Sequence, residues 1–493
     1  MSPGGSNPVR RAAIANLGCK VNQAEMDSVA RLLRAAGVAL VDGGEPADLV
    51  VVNTCTVTAI ADRKSRQVVR RARRNNPDAM VMVTGCSAVV DPESLAAADP
   101  AARLFDNDSK AQLLAELADL LSQAEGRALP TLAGVDPVVE PYPVGSFDLE
   151  AAAGSVGDDF GGRRDIDRTR AFVKIQDGCS LHCTYCIIPM ARGPERSIDA
   201  AAVLSDVRQA VAAGHREVVL TGINAGAYGV DGLGLPGLVR LILSETPLER
   251  IRLSSIEPQH LTDGLLDVWA GSAGRCLPHF HIPLQSGDDA ILHRMGRRYS
   301  TADYAALVGR VHAALPGVAV HADVIVGFPG EDDASWDRTR AFLTGLELAG
   351  LHVFRYSARP GTAAARMVGR VDGRTMKRRA AEALALGAAA RTAFAERQLG
   401  TEMRVLFERP LRDGRWLGHA ESHVLVAAAA PDGAALGNVI GLVRGEAIDR
   451  AAPDRVSGRL LGVDRARMEG MGWAGAAASM AVAHEPLAES ASK

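Results

Sequence analysis

Apolar residues recur along this chain in two rhythms, and their alternation predicts the architecture. Near the N-terminus, Arg11–Leu17 reads as a short strand, and Leu49–Asn53 and Met80–Thr84 are continuous apolar runs, as expected for strands covered on both faces of a parallel sheet. Between them, Met26, Val29, Leu32 and Leu33 recur on one helical face, which predicts a helix capped by Asn22 and ending near Gly37. From about Gly126 to Asp167 the pattern dissolves into Pro, Gly and acidic residues, which read as a linker. Six strand candidates follow at Ala171–Ile175, Glu217–Leu220, Arg250–Leu253, His279–Pro283, Ala319–Val326 and His352–Tyr356, with helical stretches such as Ala200–Ala213 and Ala302–Leu315 between them. Right-handed crossovers would curl them into a partial (β/α) barrel. Beyond Arg397, short runs at Met403–Phe407, Trp416–His419, His423–Val426 and Val439–Val443 predict a small all-β barrel. The expected domains are therefore 10–125, a linker at 126–167, 168–396 and 397–462, with an Ala-, Gly- and Ser-rich tail at 463–493 expected to be poorly ordered.

Composition changes this picture little. Of the 493 residues, 47% are apolar and 23% charged, an ordinary globular profile too long for one core. The net charge of −3 offers no global sign of a nucleic-acid partner, so any such signal must be local. Met1–Gly18 lacks the pattern of an apolar leader, and no run of 18 or more uncharged apolar residues occurs. A cytoplasmic protein with no membrane partner is the expectation, and in a reducing compartment seven cysteines are metal ligands or reactive thiols more readily than disulfides.

Six of those cysteines form two triads. Cys179, Cys183 and Cys186 make a C-x3-C-x2-C loop directly after the first strand of the expected barrel, where barrel active sites are built. Three thiolates at this spacing can hold three irons of a cubane cluster and leave the fourth without a protein ligand. A Cys3His zinc site using His182 is the alternative the spacing leaves open. Cys19, Cys55 and Cys86 are far apart in sequence, yet each lies just past a strand of the N-terminal sheet, so all three can converge at its carboxyl edge. Buried core thiols are the bland reading there. Cys276 has no partner cysteine nearby and reads as structural.

The cysteine loop, with Tyr185 before its last cysteine, resembles those of radical S-adenosylmethionine enzymes. Together with Asn16-Leu-Gly-Cys-Lys-Val-Asn-Gln, Val52-Asn-Thr-Cys-Thr-Val-Thr and Val83-Thr-Gly-Cys, the chain is similar to the methylthiotransferases over about residues 10–460. Cys186-Ile-Ile-Pro-Met-Ala-Arg-Gly, Leu220-Thr-Gly-Ile-Asn-Ala-Gly-Ala-Tyr-Gly, Ser254-Ser-Ile-Glu-Pro, Pro283-Leu-Gln-Ser-Gly and Asp323-Val-Ile-Val-Gly-Phe-Pro-Gly-Glu resemble the bacterial subgroup acting on N6-threonylcarbamoyladenosine in tRNA. Met190 and Pro194-Glu195 depart from that subgroup, which more often has Tyr and a more basic stretch.

The resemblance implies two 4Fe–4S clusters, one on Cys179, Cys183 and Cys186, the other on Cys19, Cys55 and Cys86. It implies S-adenosylmethionine held near Tyr185, Gly222, Asn224, Ser255, Glu257, Gln285 and Gly327, and a C-terminal barrel of the RNA-binding TRAM type. It implies tRNA as substrate, methylthiolated at C2 of the modified adenosine beside the anticodon, with an external electron donor and a sulfur source as partners. The same chemistry on isopentenyladenosine or on a ribosomal-protein aspartate is the nearest alternative, and a non-catalytic iron–sulfur RNA-binding or electron-transfer protein the alternative of another class. Seven basic residues in Arg63–Arg74 on one predicted helix, and a second group at Arg374, Lys377, Arg378 and Arg379, are candidate phosphate contacts. Gly232-Leu-Gly-Leu-Pro-Gly matches a dinucleotide-loop pattern but does not follow a strand and carries a proline, so it is rejected.

Overall fold

The computed structural model describes residues 9–123 and 169–463, which fall into two units, one up to Arg391 and one from Thr392. The expected linker at 126–167, and the expected tail beyond Val463, lie outside the described residues.

The first unit opens with a five-stranded, all-parallel sheet. Its elements run β1 (Arg11–Asn16), α1 (Lys20–Ala35), β2 (Ala39–Val41), β3 (Leu49–Thr54), α2 (Ala59–Asn75), β4 (Met80–Gly85), α3 (Cys86–Val90), α4 (Pro92–Ala98), β5 (Arg103–Leu104) and α5 (Lys110–Gln123), with strand order β2-β1-β3-β4-β5. The continuous apolar run of β3 is explained by packing on both faces: Leu49 and Val51 join one core cluster with α1 and α5, while Val50 and Val52 join another with α2. The short strands β2 and β5 were not expected; two- and three-residue strands are too brief to show a period.

Helix α1 begins three residues earlier than expected. Cys19 occupies the capping position without a side-chain cap, and Asn22 sits inside the first turn. The Asn22 amide instead donates to the Leu17 carbonyl, Asn53 Oδ1 and the Thr54 carbonyl, tying α1 to the end of β3. At the other end, the amides of Gly37 and Val38 close onto the Arg34 and Leu33 carbonyls, the expected stop.

The second part of the first unit supplies six parallel strands: β6 (Arg170–Lys174), β7 (Glu217–Thr221), β8 (Arg250–Leu253), β9 (His279–His281), β10 (Ala319–Val326) and β11 (Gly350–Arg355). They form two three-stranded sheets, β8-β7-β6 and β9-β10-β11, joined by isolated parallel bridges at Ser255–His281 and Ile251–Cys276. All six expected strands are present, arranged as an arc rather than a closed barrel. The outer residues of these strands, including Val218, Leu220, Ile251, Leu253, Phe280, Val320, Ala322 and Val324, pack with the crossover helices into one apolar cluster. The rejected glycine motif forms a small hairpin, Gly229–Val230 with Leu233–Gly234, leading into the helix Leu235–Glu245.

The inner face of the arc is polar, which the sequence reading did not anticipate. Glu217 is fully buried between Arg252, whose Nε lies 2.8 Å from Oε1, and Arg250, whose Nε lies 2.8 Å from Oε2. Burial by itself would raise the Glu217 carboxyl, but Arg252 and Arg250 outweigh it and bring the group down to about 2. Unfolded, the group titrates near its ordinary 4.5, so the stability held in these pairs is complete above that pH and is lost as pH falls toward 2. Urea midpoints measured from pH 5 to pH 2 should fall steeply, and Glu217→Gln should flatten that limb while lowering neutral-pH stability by about 3–5 kcal/mol. An unchanged pH profile in the variant would remove Glu217 from the account.

The second unit contains a closed barrel of β12 (Glu402–Pro410), β13 (Arg415–His419), β14 (Leu425–Ala429), β15 (Ile440–Ile448) and β16 (Arg455–Val463), in the order β12-β13-β14-β16-β15. The last strand was not read from the sequence, because Gly458 and Gly462 interrupt its apolar alternation. Gly458 packs against the Arg444 carbonyl and Val443, where a side chain would collide with β15.

Candidate active site

Cys55 and Cys86 directly follow the last residues of β3 and β4, and Cys19 lies three residues past the end of β1, so the parallel order of the sheet brings them to one edge. Gly85 makes this approach possible: its φ is +99°, and a Cβ there would lie 2.3 Å from both Asn53 Oδ1 and the Thr54 carbonyl. Ser65 Oγ and Ser87 Oγ both donate to the Cys55 carbonyl, at 3.0 and 2.8 Å, fixing that loop. Burial pushes the Cys55 thiol up to about 12, with further repulsion from Cys86 and Cys19, and burial likewise raises Cys86.

The second triad lies between β6 and the short helix α6 (Ile188–Arg192). Gly178, at φ +69°, starts the loop where a Cβ would overlap the Pro194 carbonyl oxygen at 1.9 Å. The Cys179 amide donates to the Gly193 carbonyl (3.1 Å), and Thr184 is held to Met295 and Arg294. Burial pushes Cys179 up to about 11 and Cys186 up to about 12, and each is raised further by Cys183. A free nucleophilic cysteine would instead need a lowered value.

Within each triad the sulfurs are close enough to repel one another, yet neither triad brings its three ligand atoms within 4.8 Å. A single zinc, with Zn–S near 2.3 Å, would require sulfurs about 3.8 Å apart. His182, the zinc alternative's fourth ligand, is exposed, with a left-handed backbone at φ +53°. A larger polynuclear group accepting three thiolates fits both sets of residues, and the raised thiols are the form that such a metal would deprotonate on binding.

Around the second triad, Arg297 is the side chain that the sequence reading missed. Its Nη1 lies 3.2 Å from Cys183 Sγ, its other amino group is paired with Glu257, and its Nε donates to Tyr299 Oη at 2.9 Å. Glu257, expected to contact a cofactor, thus holds this cation against the cysteine loop. Tyr185 stacks edge-on with Phe328 at 6.5 Å. Asn224 is buried, donates its backbone N–H to Gln176 Oε1 at 2.8 Å and donates from its side chain to Glu195 Oε1 at 2.9 Å. Glu195, one of the departures from the subgroup, therefore ties the cysteine loop to the turn after β7, while Met190 is half exposed. Gly222 packs on Gln176, Ser255 bridges to His281, Gln285 is buried beyond β9, and the Gly327 amide donates to Glu331.

A buried charge network joins the two triads' surroundings. Arg192, six residues past Cys186, is fully buried: Nη1 bonds Asp177 (2.9 Å) and Glu25 (3.1 Å), and Nη2 bonds Asn22 Oδ1 (2.7 Å), which also receives Cys19 Sγ at 3.3 Å. Lys174 and Lys110 complete the set on Glu25, at 2.9 and 2.5 Å. Burial would raise Glu25, but Lys110, Arg192 and Lys174 together hold it well below the ordinary carboxylate range. Asn107 donates to the Ala191 carbonyl at 2.6 Å and lies 3.9 Å from Cys86 Sγ. On the other side, Arg359 bonds Thr56 (2.7 Å) and pairs with Asp62, whose Oδ1 receives Ser87 Oγ.

Two family models match the chain: an uncharacterized family, UPF0004, over residues 11–106, and the radical SAM superfamily over residues 173–343. A Bacillus subtilis protein named threonylcarbamoyladenosine tRNA methylthiotransferase MtaB is 35% identical over 84% of this chain and 89% of its own length. The chain belongs to the radical S-adenosylmethionine methylthiotransferase family. An Aquifex aeolicus protein of the same name is 34% identical over 80% of this chain and 92% of its own length. A Maricaulis maris protein named tRNA-2-methylthio-N(6)-dimethylallyladenosine synthase is 31% identical over 92% and 98%. Among solved structures, the radical S-adenosylmethionine methyltransferase TsrM from Kitasatospora setae aligns with a TM-score of 0.50 at 18% identity, over 72% of this chain and 77% of that one, a likeness of fold. As in the family, the residues present fit two 4Fe–4S clusters and S-adenosylmethionine. No helix among the described residues is long and apolar enough to cross a membrane.

Proposed function

We propose that this protein attaches a methylthio group to C2 of N6-threonylcarbamoyladenosine in tRNA, beside the anticodon, using Cys179, Cys183 and Cys186 for one cluster and Cys19, Cys55 and Cys86 for the other. The reading rests on one observation: both triads lie in one unit whose frame is continuous from Cys19 through Asn22 and Arg192 to the second cysteine loop. When bound, the clusters and S-adenosylmethionine supply a radical able to take a hydrogen from carbon, together with the sulfur to be transferred.

The chain's own residues supply position and charge. Arg297 sets a cation against Cys183, and Arg192 sets another beside Cys19 and Cys86, each offsetting the negative charge that thiolate ligation builds up. Gln176 and Asn224 hold the turn after β7 against the cysteine loop, where the missing side chain of Gly222 lets Gln176 pack directly on the turn. An external electron donor, a sulfur source and a cytoplasmic setting complete the proposal. Mass spectrometry of tRNA nucleosides from a deletion strain should show loss of 2-methylthio-N6-threonylcarbamoyladenosine, restored by this chain. Restoration of the isopentenyladenosine product instead would favour the second reading, to which the Maricaulis maris relative points.

For tRNA contact we favour the outer face of α2. Arg63, Arg70 and Arg74 are exposed there, whereas Arg73 is engaged with Asp99 and the Pro77 and Ala79 carbonyls. The second basic group is less available, because Arg379 is buried on Glu331 and Arg378 pairs with Glu382 and Asp333. Replacing Arg63, Arg70 and Arg74 with alanine should weaken tRNA binding and flatten the log-affinity against log-salt slope by roughly 2–3. An unchanged slope would move the contact elsewhere.

A further inference from the structure

Four of the chain's twelve histidines, His279, His281, His321 and His352, lie on the inner face of the arc with Asp323, apart from both cysteine triads. Three of these side chains converge. His281 Nε2 lies 2.5 Å from Asp323 Oδ1, and His352 Nδ1 lies 3.2 Å from both that oxygen and His281 Nε2. They come from the neighbouring strands β9, β10 and β11, with Asp323 and His352 directly paired in register. Among the described residues this is the one group of three histidine, cysteine or acidic side chains whose ligand atoms all lie within 4.8 Å of one another.

We propose that His281, Asp323 and His352 form a binding site for a divalent first-row cation of the zinc class. Two imidazole nitrogens and one carboxylate oxygen are a recognised ligand set for a zinc ion that keeps an open position. Zinc–ligand distances of about 2.0–2.1 Å place tetrahedral ligands roughly 3.3 Å apart, close to the two 3.2 Å separations seen here. The two rings stand nearly perpendicular, at 88° with centroids 4.5 Å apart, so their nitrogens meet without the rings overlapping. Strand positions hold the ligands more rigidly than loops would.

A purely hydrogen-bonded His–Asp–His arrangement carries an internal conflict. For both short contacts to Asp323 Oδ1 to be hydrogen bonds, each ring must point an N–H at that oxygen, and the two N–H groups then face each other across 3.2 Å. A cation replacing both protons turns that repulsion into coordination and lengthens the 2.5 Å contact. The side chains keep 16%, 16% and 26% of their surface accessible, so the open position is reachable for water or an oxygen donor of a substrate. The site also adjoins the cysteine loop's support: Ser255, bridged to His281, lies two residues before Glu257, which pairs with Arg297 against Cys183.

The test uses the full-length protein with its clusters reconstituted, incubated anaerobically with zinc chloride and desalted. The expected result is about one retained zinc whose X-ray absorption shows nitrogen and oxygen neighbours at about 2.0–2.1 Å. His352→Ala and Asp323→Asn should each lose that zinc while iron content and cluster absorbance stay as in wild type. Absence of retained zinc in the wild type, sulfur neighbours near 2.3 Å, or equal zinc retention in both variants would overturn the proposal. Should either variant prove insoluble, the wild-type spectrum decides alone.

Discussion

Cys55→Ala is expected to retain reductive cleavage of S-adenosylmethionine and to lose methylthiolation, whereas Cys183→Ala is expected to lose both. The two cysteines belong to different triads, one at the carboxyl edge of the N-terminal sheet and one in the loop after β6. Each variant should keep about four of the roughly eight irons that two cubanes contain. Anaerobic incubation with reductant and S-adenosylmethionine, read as 5′-deoxyadenosine and as methylthiolated nucleoside in the same sample, separates the two roles. Wild-type product from Cys55→Ala would sink the assignment of the N-terminal triad. Deoxyadenosine from Cys183→Ala would sink that of the barrel triad. A non-catalytic iron–sulfur protein would give no deoxyadenosine even as wild type.

The second large effect is structural. Arg192→Leu should destabilise the first unit by about 3–5 kcal/mol, because it leaves Glu25 and Asp177 buried without their shared guanidinium. Lys174 and Lys110 remain on Glu25, which puts the expected loss toward the lower end of that range. Arg192→Lys keeps a charge but cannot reach Asp177, Glu25 and Asn22 Oδ1 together, so it should fall between leucine and wild type. Because Asn22 also receives Cys19, both variants should bind less iron at the N-terminal triad while keeping that of the barrel triad. Urea unfolding and iron counts provide the readout; wild-type values in both for Arg192→Leu would mean that the network is incidental.

Strand positions and the cysteine triads were legible because they depend on local rules. Apolar runs such as Leu49–Asn53 and the alternation through Ala319–Val326 mark strands, and cysteines placed after strands converge wherever the sheet is parallel. The capping role expected for Asn22 was misread for an equally physical reason. The residue has a capping side chain, but the neighbouring strand β3 offered it two partners that local sequence does not reveal, beside the Leu17 carbonyl in the turn before α1.

The chain alone determined which chemistry its thiols can support and which strand end carries each of them, since spacing and periodicity are properties of neighbouring residues. Tertiary structure decided what surrounds those thiols. Arg297, 114 residues from Cys183, and Arg192, 167 residues from Glu25, acquire their partners only when distant strands are laid side by side. The same is true of the inner face of the arc, where Glu217 meets its arginines and His281, Asp323 and His352 share one point, because long-range register carries no signature in a single sequence.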